Sequence, residues 1–259
     1  MAKPAKFLTD NEIEERAAAV LDRCAPGGSS HTELPVDIDT LTECDFRFKV
    51  VWKPIDDPQG CRTYGAMSPL SGGSSYTAEM ILNEKFREFL TAHPEIERLT
   101  RGHELCHWEV HVDEGGLRSG ALPFDNAEPP IRFHRANYSE NAPSAEQMSR
   151  VARYALTDER AYRAVKPMAG GAEELVEPYW MHRQAEHFSA CLLVPRQPLY
   201  AELETAGDPA FYGTHVKLAE TFHLSKKVIQ IRLRKLGIIE EYEPGRFRNV
   251  RNDAGRLVF

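Results

Sequence analysis

Apolar positions along this chain change their spacing repeatedly, and each change marks an element. Between residues 10 and 21, Ile13, Ala17, Val20 and Leu21 recur at intervals that place them on one stripe of a helix. Thr9 or Asp10 can cap it, and Glu12 adds charge to its first turn. Pro26-Gly27-Gly28-Ser29-Ser30 ends that unit, and residues 34–41 read as a short strand or turn entering a second helix. Strand-like runs follow at 46–52, near 63–67 and at 76–83, separated by Pro54, Pro58-Gln59-Gly60 and Ser71-Gly72-Gly73-Ser74. A small antiparallel sheet is their simplest assembly. Residues 84–92 return to the helical period through Phe86, Phe89 and Leu90; Pro94 breaks that helix, and another begins near Ile96.

Farther along, residues 114–143 are rich in Gly, Pro and Asn and read as a long loop. Residues 144–165 read as an extra helix, capped by Ser144, striped by Met148, Val151, Ala152, Ala155 and Leu156, and ended by Pro167. A further helix is expected around 179–193. Residues 216–239 then take the form of a helix-turn-helix. Leu218, Ala219 and Phe222 face inward on its first helix, Ser225 caps the second, and Gly237 stops it. Residues 241–248 can add a hairpin or wing.

Composition narrows the class. The hydrophobic share of 42% and charged share of 27% suit a globular protein with a well-buried core. A formal net charge of −7 argues against general affinity for nucleic acid. The start lacks the apolar run of a signal peptide and no stretch approaches a membrane span, so a cytoplasmic location and no membrane partner are expected. Cys24, Cys44, Cys61, Cys106 and Cys191 are odd in number and never in a C-x-x-C pair, which points to neither a disulfide framework nor a cysteine zinc cluster.

The chemistry concentrates in Thr100-Arg101-Gly102-His103-Glu104-Leu105-Cys106-His107-Trp108, which contains H-E-x-x-H. On a helix, His103 and His107 stand one above the other and can offer ring nitrogens to one ion. Glu104 beside that ion is placed to act as general base, because a metal lowers the pKa of bound water to about 7. Against this stands the plainer reading of a solvated helix with two chance histidines. Zinc is the default ion for such a site, and manganese can take its place. His111 continues the same face, but eight helical residues span about 12 Å, too far for a straight helix to supply three ligands to one zinc. The order helix, small sheet, H-E-x-x-H helix fits a zincin-like α+β domain.

Leu34-Pro35-Val36-Asp37-Ile38-Asp39, Gly65-Ala66, Ile81-Leu82-Asn83, the H-E-x-x-H block, and Arg183-Gln184-Ala185-Glu186-His187-Phe188-Ser189-Ala190-Cys191-Leu192-Leu193-Val194-Pro195 together resemble the ImmA/IrrE family of bacterial and phage metallopeptidases. The resemblance runs from about residue 10 to 240. It implies a zincin-like metallopeptidase domain at 1–198, carrying an insertion at about 114–178, and a helix-turn-helix-like segment at 199–259. It also implies a protein substrate, a transcriptional repressor inactivated by cleavage. The family's third ligand is a glutamate two residues before the Gln/Glu-Ala step, and that position holds His182 here. Either His182 makes a third imidazole, or Glu186 one turn later takes over, or the site is degenerate. Lys226, Lys227, Gln230 and Arg234 are the candidate DNA contacts of the C-terminal segment. The alternative to an enzyme is a non-catalytic regulator that keeps the fold and binds DNA or a partner protein.

Overall fold

Thr9 and Glu12 open the first helix by reciprocal capping. The Thr9 hydroxyl accepts from the Glu12 N–H at 3.2 Å, and the Glu12 carboxylate accepts from the Thr9 N–H at 2.8 Å. Helix α1 (Asp10–Cys24) then buries Ile13, Ala17, Val20 and Leu21, the four positions of the stripe. The computed structural model describes residues 8–24, 33–55, 63–70, 75–111 and 173–250. The expected loop at 114–143 and extra helix at 144–165 lie outside the described residues.

After the short α2 (Ile38–Thr40), capped by Asp37, come strands β1 (Phe48–Lys53), β2 (Gly65–Pro69) and β3 (Ala78–Asn83). Their order is β1-β3-β2. The antiparallel sheet expected from the sequence is corrected to a mixed one. β2 and β3 pair antiparallel, Gly65 opposite Leu82, but β1 and β3 are parallel, from Phe48 opposite Ala78 to Lys53 opposite Asn83. The reason is the connection. Residues 54–64 are long enough to carry the chain across to the far edge, so that β3 returns between the other two strands. β3 is thus central, and Ala78, Met80, Leu82 and Asn83 are all fully buried in it.

A 3₁₀ turn (Glu84–Phe86) leads into α3 (Arg87–Ala92), and α4 (Pro94–Cys106) follows at once. Pro94 does not separate the two by a loop; it occupies the first turn of α4, where its fixed φ suits a helix and its missing N–H costs nothing. Glu95 and Glu97 complement the helix dipole there. Beyond Cys106 the helix widens into a π-type turn, His107–His111. Trp108 in that turn packs edge-on against Phe48 of β1, with ring centres 5.5 Å apart.

The chain resumes in α5 (Glu173–Leu193), which starts earlier than the expected 179. Then come α6 (Arg196–Ala206), α7 (Tyr212–Phe222), α8 (Lys226–Lys235) and a hairpin of β4 (Ile239–Glu243) and β5 (Arg246–Asn249). Ser225 caps α8 by accepting from the Val228 N–H, and Gly237 (φ +68°) supplies the left-handed residue just past its end. The described residues form an α+β fold, and none of their helices is long and apolar enough to cross a membrane. One buried cluster runs from Ile13 and Val20 through Phe48, Met80, Leu105, Phe188 and Leu192 to Phe222, Ile229 and Leu233.

A polar tie crosses that cluster. Arg232 of α8 is 1% exposed; it hydrogen-bonds and ion-pairs with Glu14 of α1, and its Nε donates to the Val194 carbonyl at 3.0 Å. Burial alone would raise the Glu14 carboxyl, but the hydrogen bond and charge of Arg232, helped by Arg196 and the Cys191 thiol, outweigh it and hold the group below its ordinary value. Removing one partner of such a pair leaves the other uncompensated, so Arg232→Ala is expected to lower the unfolding free energy by about 3 kcal/mol in urea denaturation. Because the folded carboxyl titrates below the unfolded value of 4.5, its stabilisation is full above that pH and fades as pH falls through the folded value. The gap in stability between wild type and Glu14→Gln should therefore shrink from pH 7 to pH 3.5; an unchanged gap would refute the assignment.

Candidate metal centre

Helices α4 and α5 meet where α4 has no side chain. A Cβ built on Gly102 would lie 2.6 Å from the Ser189 hydroxyl oxygen and 3.4 Å from the Ser189 Cα. The Ser189 hydroxyl instead donates to the Leu99 carbonyl at 2.9 Å. Ala185, Phe188 and Leu192 of α5 are fully buried along the same contact. This close approach brings the polar face of α5 up to the residues that follow Gly102.

There His103, Glu104 and His107 are buried, at 1%, 0% and 2% exposure. The His103 ring centre lies 4.8 Å from that of His107 and 4.9 Å from that of His182 on α5, itself 8% exposed. His182 thus stands against His103 although seventy-nine positions separate the two in the chain. Glu186 is held differently. Its carboxylate is 42% exposed, meets Arg183 Nη1 at 3.1 Å, and lies 3.4 Å from His182 Nε2.

The donor set suits zinc. A ring nitrogen at about 2.0–2.1 Å puts each imidazole centre about 3.2 Å from the ion, and two such rings at a tetrahedral angle have centres about 5 Å apart. The His103–His107 and His103–His182 separations, 4.8 and 4.9 Å, are close to that figure, and so is the 5.0 Å between His107 and His111. Among the described residues no three His, Cys, Asp or Glu side chains are already gathered around one point.

His111 contacts His107 and is met in turn by Gln184. His111 Nδ1 lies 2.9 Å from His107 Nδ1, and His111 Nε2 lies 2.9 Å from Gln184 Oε1 on α5. The widened turn sets the His111 ring against that of His107, with ring centres 5.0 Å apart. Burial pushes the His111 imidazole down to about 4, against the opposing pull of its hydrogen bond to Gln184. Gly65 of β2 is the other residue that periodicity does not mark. A Cβ there would lie 2.7 Å from Thr100 Cγ2 and 3.1 Å from Glu104 Oε1, so the strand backbone passes directly beside the carboxylate.

A second pairing that looks reactive is inert. Cys191 Sγ lies 3.7 Å from His187 Nε2, but burial raises the thiol to about 12 and lowers the imidazole to about 4, leaving both neutral. Cys106, between the motif histidines, is fully buried and its thiol is likewise held protonated by burial.

The candidate DNA contacts are mostly engaged within the chain. Lys226 hydrogen-bonds the Tyr212 hydroxyl and stands 4.4 Å from that ring's centre; Gln230 Nε2 meets His215 Nδ1 at 3.2 Å; Arg234 Nη1 meets Glu241 at 2.9 Å. Lys227 is exposed.

Residues 178–234 match the model of the IrrE N-terminal-like domain, a peptidase family. The likeness to that family rests on this stretch. The match takes in the part of α5 that carries His182, Gln184 and Glu186 and continues almost to the end of α8, while His103, Glu104 and His107 precede it. No curated protein matches the chain. Gly102→Val should force α4 and α5 apart and cost about 1–3 kcal/mol or more by overpacking. A thermal melt at or above the wild-type midpoint would refute the close approach as a constraint.

Proposed function

We propose that this protein is a metal-dependent endopeptidase that cuts a specific protein, a transcriptional repressor being the class its family resemblance implies. The observation that carries this reading is the contact of the His182 ring with His103, beside the buried carboxylate of Glu104. His103, His107 and His182 would hold the ion, with zinc as the natural choice for three imidazoles. When bound, zinc supplies Lewis-acid polarisation and makes water acidic enough to attack at neutral pH.

Glu104 does the proton work. Its carboxylate takes one proton from the attacking water as the water oxygen bonds to the carbonyl carbon of the substrate. It then returns that proton to the amide nitrogen as the C–N bond breaks and the amine leaves. Burial keeps bulk water from competing for that proton. β2 lies at the edge of its sheet and passes Glu104 at Gly65. An extended substrate segment that paired with this edge would therefore carry its backbone past the carboxylate. On this reading the α7/α8 unit is a helix-turn-helix-like module that braces α5 through Arg232, since three of its four candidate DNA contacts already have partners inside the chain.

The test joins metal content to cleavage. Purified wild type should contain about one equivalent of zinc by elemental analysis and should yield defined fragments from a repressor encoded beside it, read by intact mass. Glu104→Gln should keep the zinc and lose at least about 100-fold in cleavage rate. His182→Ala should lose zinc and activity together, whereas Glu186→Ala should keep both. Wild type free of metal, binding DNA in a salt-dependent way, would instead indicate a non-catalytic regulator.

A further inference from the structure

Beneath His107 the hydrogens can be assigned one after another. An amide oxygen only accepts, so Gln184 Oε1, 2.9 Å from His111 Nε2, calls for a proton on that nitrogen. In a neutral imidazole only one ring nitrogen carries the proton, so with Nε2 of His111 protonated its Nδ1 carries a lone pair. That lone pair faces His107 Nδ1 at 2.9 Å, a separation that needs one hydrogen between the two nitrogens. The hydrogen must then belong to His107 Nδ1. A neutral His107 protonated there presents a lone pair at Nε2, the ring nitrogen that does not face His111.

We propose that Gln184 and His111 form a hydrogen-bond relay that fixes His107 in its Nδ1–H tautomer and so readies Nε2 as a metal ligand. Both are positioning residues, acting through His107 without touching substrate. The proposal deepens the metallopeptidase reading and depends on it for its purpose, though not for its geometry. Direction is the essential property. Were the Gln184 amide turned over, its NH₂ would donate to His111 Nε2, every hydrogen in the relay would reverse, and the proton would end on His107 Nε2, closing that nitrogen to a metal. Gln184 is 1% exposed on α5, so the relay's orientation is tied to the same helix that delivers His182. One helix would thereby supply a ligand to the site and set the tautomer of another.

The test needs no activity. Full-length protein labelled with ¹⁵N-histidine and stripped of metal by a chelator is examined at pH 7.5 by long-range ¹H–¹⁵N correlation. The expected result is Nδ1–H for His107 and Nε2–H for His111; Nε2–H at His107, or an equal mixture, would overturn the relay. Gln184→Met keeps length and apolar bulk but removes the acceptor. In it the His107 signal should move toward the other tautomer or a mixture, and zinc affinity, measured by competition with a chromophoric chelator, should fall by about 10-fold or more. An unshifted tautomer in this variant would also overturn the proposal. The wild-type spectrum decides even if the variant folds poorly. Expected tautomers in a chain that takes up no zinc would sink the peptidase reading and leave the relay standing; zinc uptake with His107 protonated at Nε2 would do the reverse.

Discussion

The distance between α4 and α5 governs the candidate site. With any side chain at residue 102 the two backbones could not come as close as they do, because Ser189 already fills the space a Cβ would take. Glycine in a helix interior costs roughly 1 kcal/mol relative to alanine. Here that cost is offset by what the approach permits: a hydrogen bond from Ser189 to the Leu99 carbonyl, burial of Ala185, Phe188 and Leu192, and ring contact between His182 and His103. A separation greater by even one methyl layer would take His182 out of contact with His103 and Gln184 out of hydrogen-bond reach of His111. The rings are close because the backbones are.

A good part of this arrangement is legible in the residues alone, for reasons that can be named. The stripe of α1 repeats with the helical period, and H-E-x-x-H places two imidazoles one turn apart by helix geometry. His182 was indicated by its position before Gln184-Ala185, a resemblance that spacing alone could not have supplied. The sheet shows the limit of pattern. Alternation tells which face of a strand is buried, not which way its neighbour runs, so the parallel pairing of β1 with β3 was hidden in the connection between them.

His111 and Gln184 were illegible for a different reason. A span of about 12 Å from His103 to His111 supposes a straight α-helix. What it could not show was that the π-type turn at His107–His111 places the two rings' Nδ1 atoms 2.9 Å apart. Nor does anything local to Gln184 point to a partner seventy-three positions earlier. Gly65 is similar: it falls in the expected strand near 63–67 and in the Gly65-Ala66 pair of the resemblance, but nothing local to it points to Glu104, which the structure sets beside it.

Helix α5 also joins the candidate site to the C-terminal unit. Its early part carries His182 and Gln184; its end carries Cys191, and the next residue, Val194, accepts from the guanidinium of Arg232. A buried ion pair such as Arg232 with Glu14 adds little net stability over apolar side chains of the same volume, since desolvation consumes most of the attraction. Its effect lies in discrimination. A packing of α8 shifted along α1 and α5 would strand two charges in the interior and cost several kcal/mol, whereas an all-apolar contact could slide at smaller expense. The ion pair therefore selects one register for α1, α5 and α8 together. Because α5 continues unbroken from that contact to His182, the register chosen at one end is transmitted to the ring contact at the other.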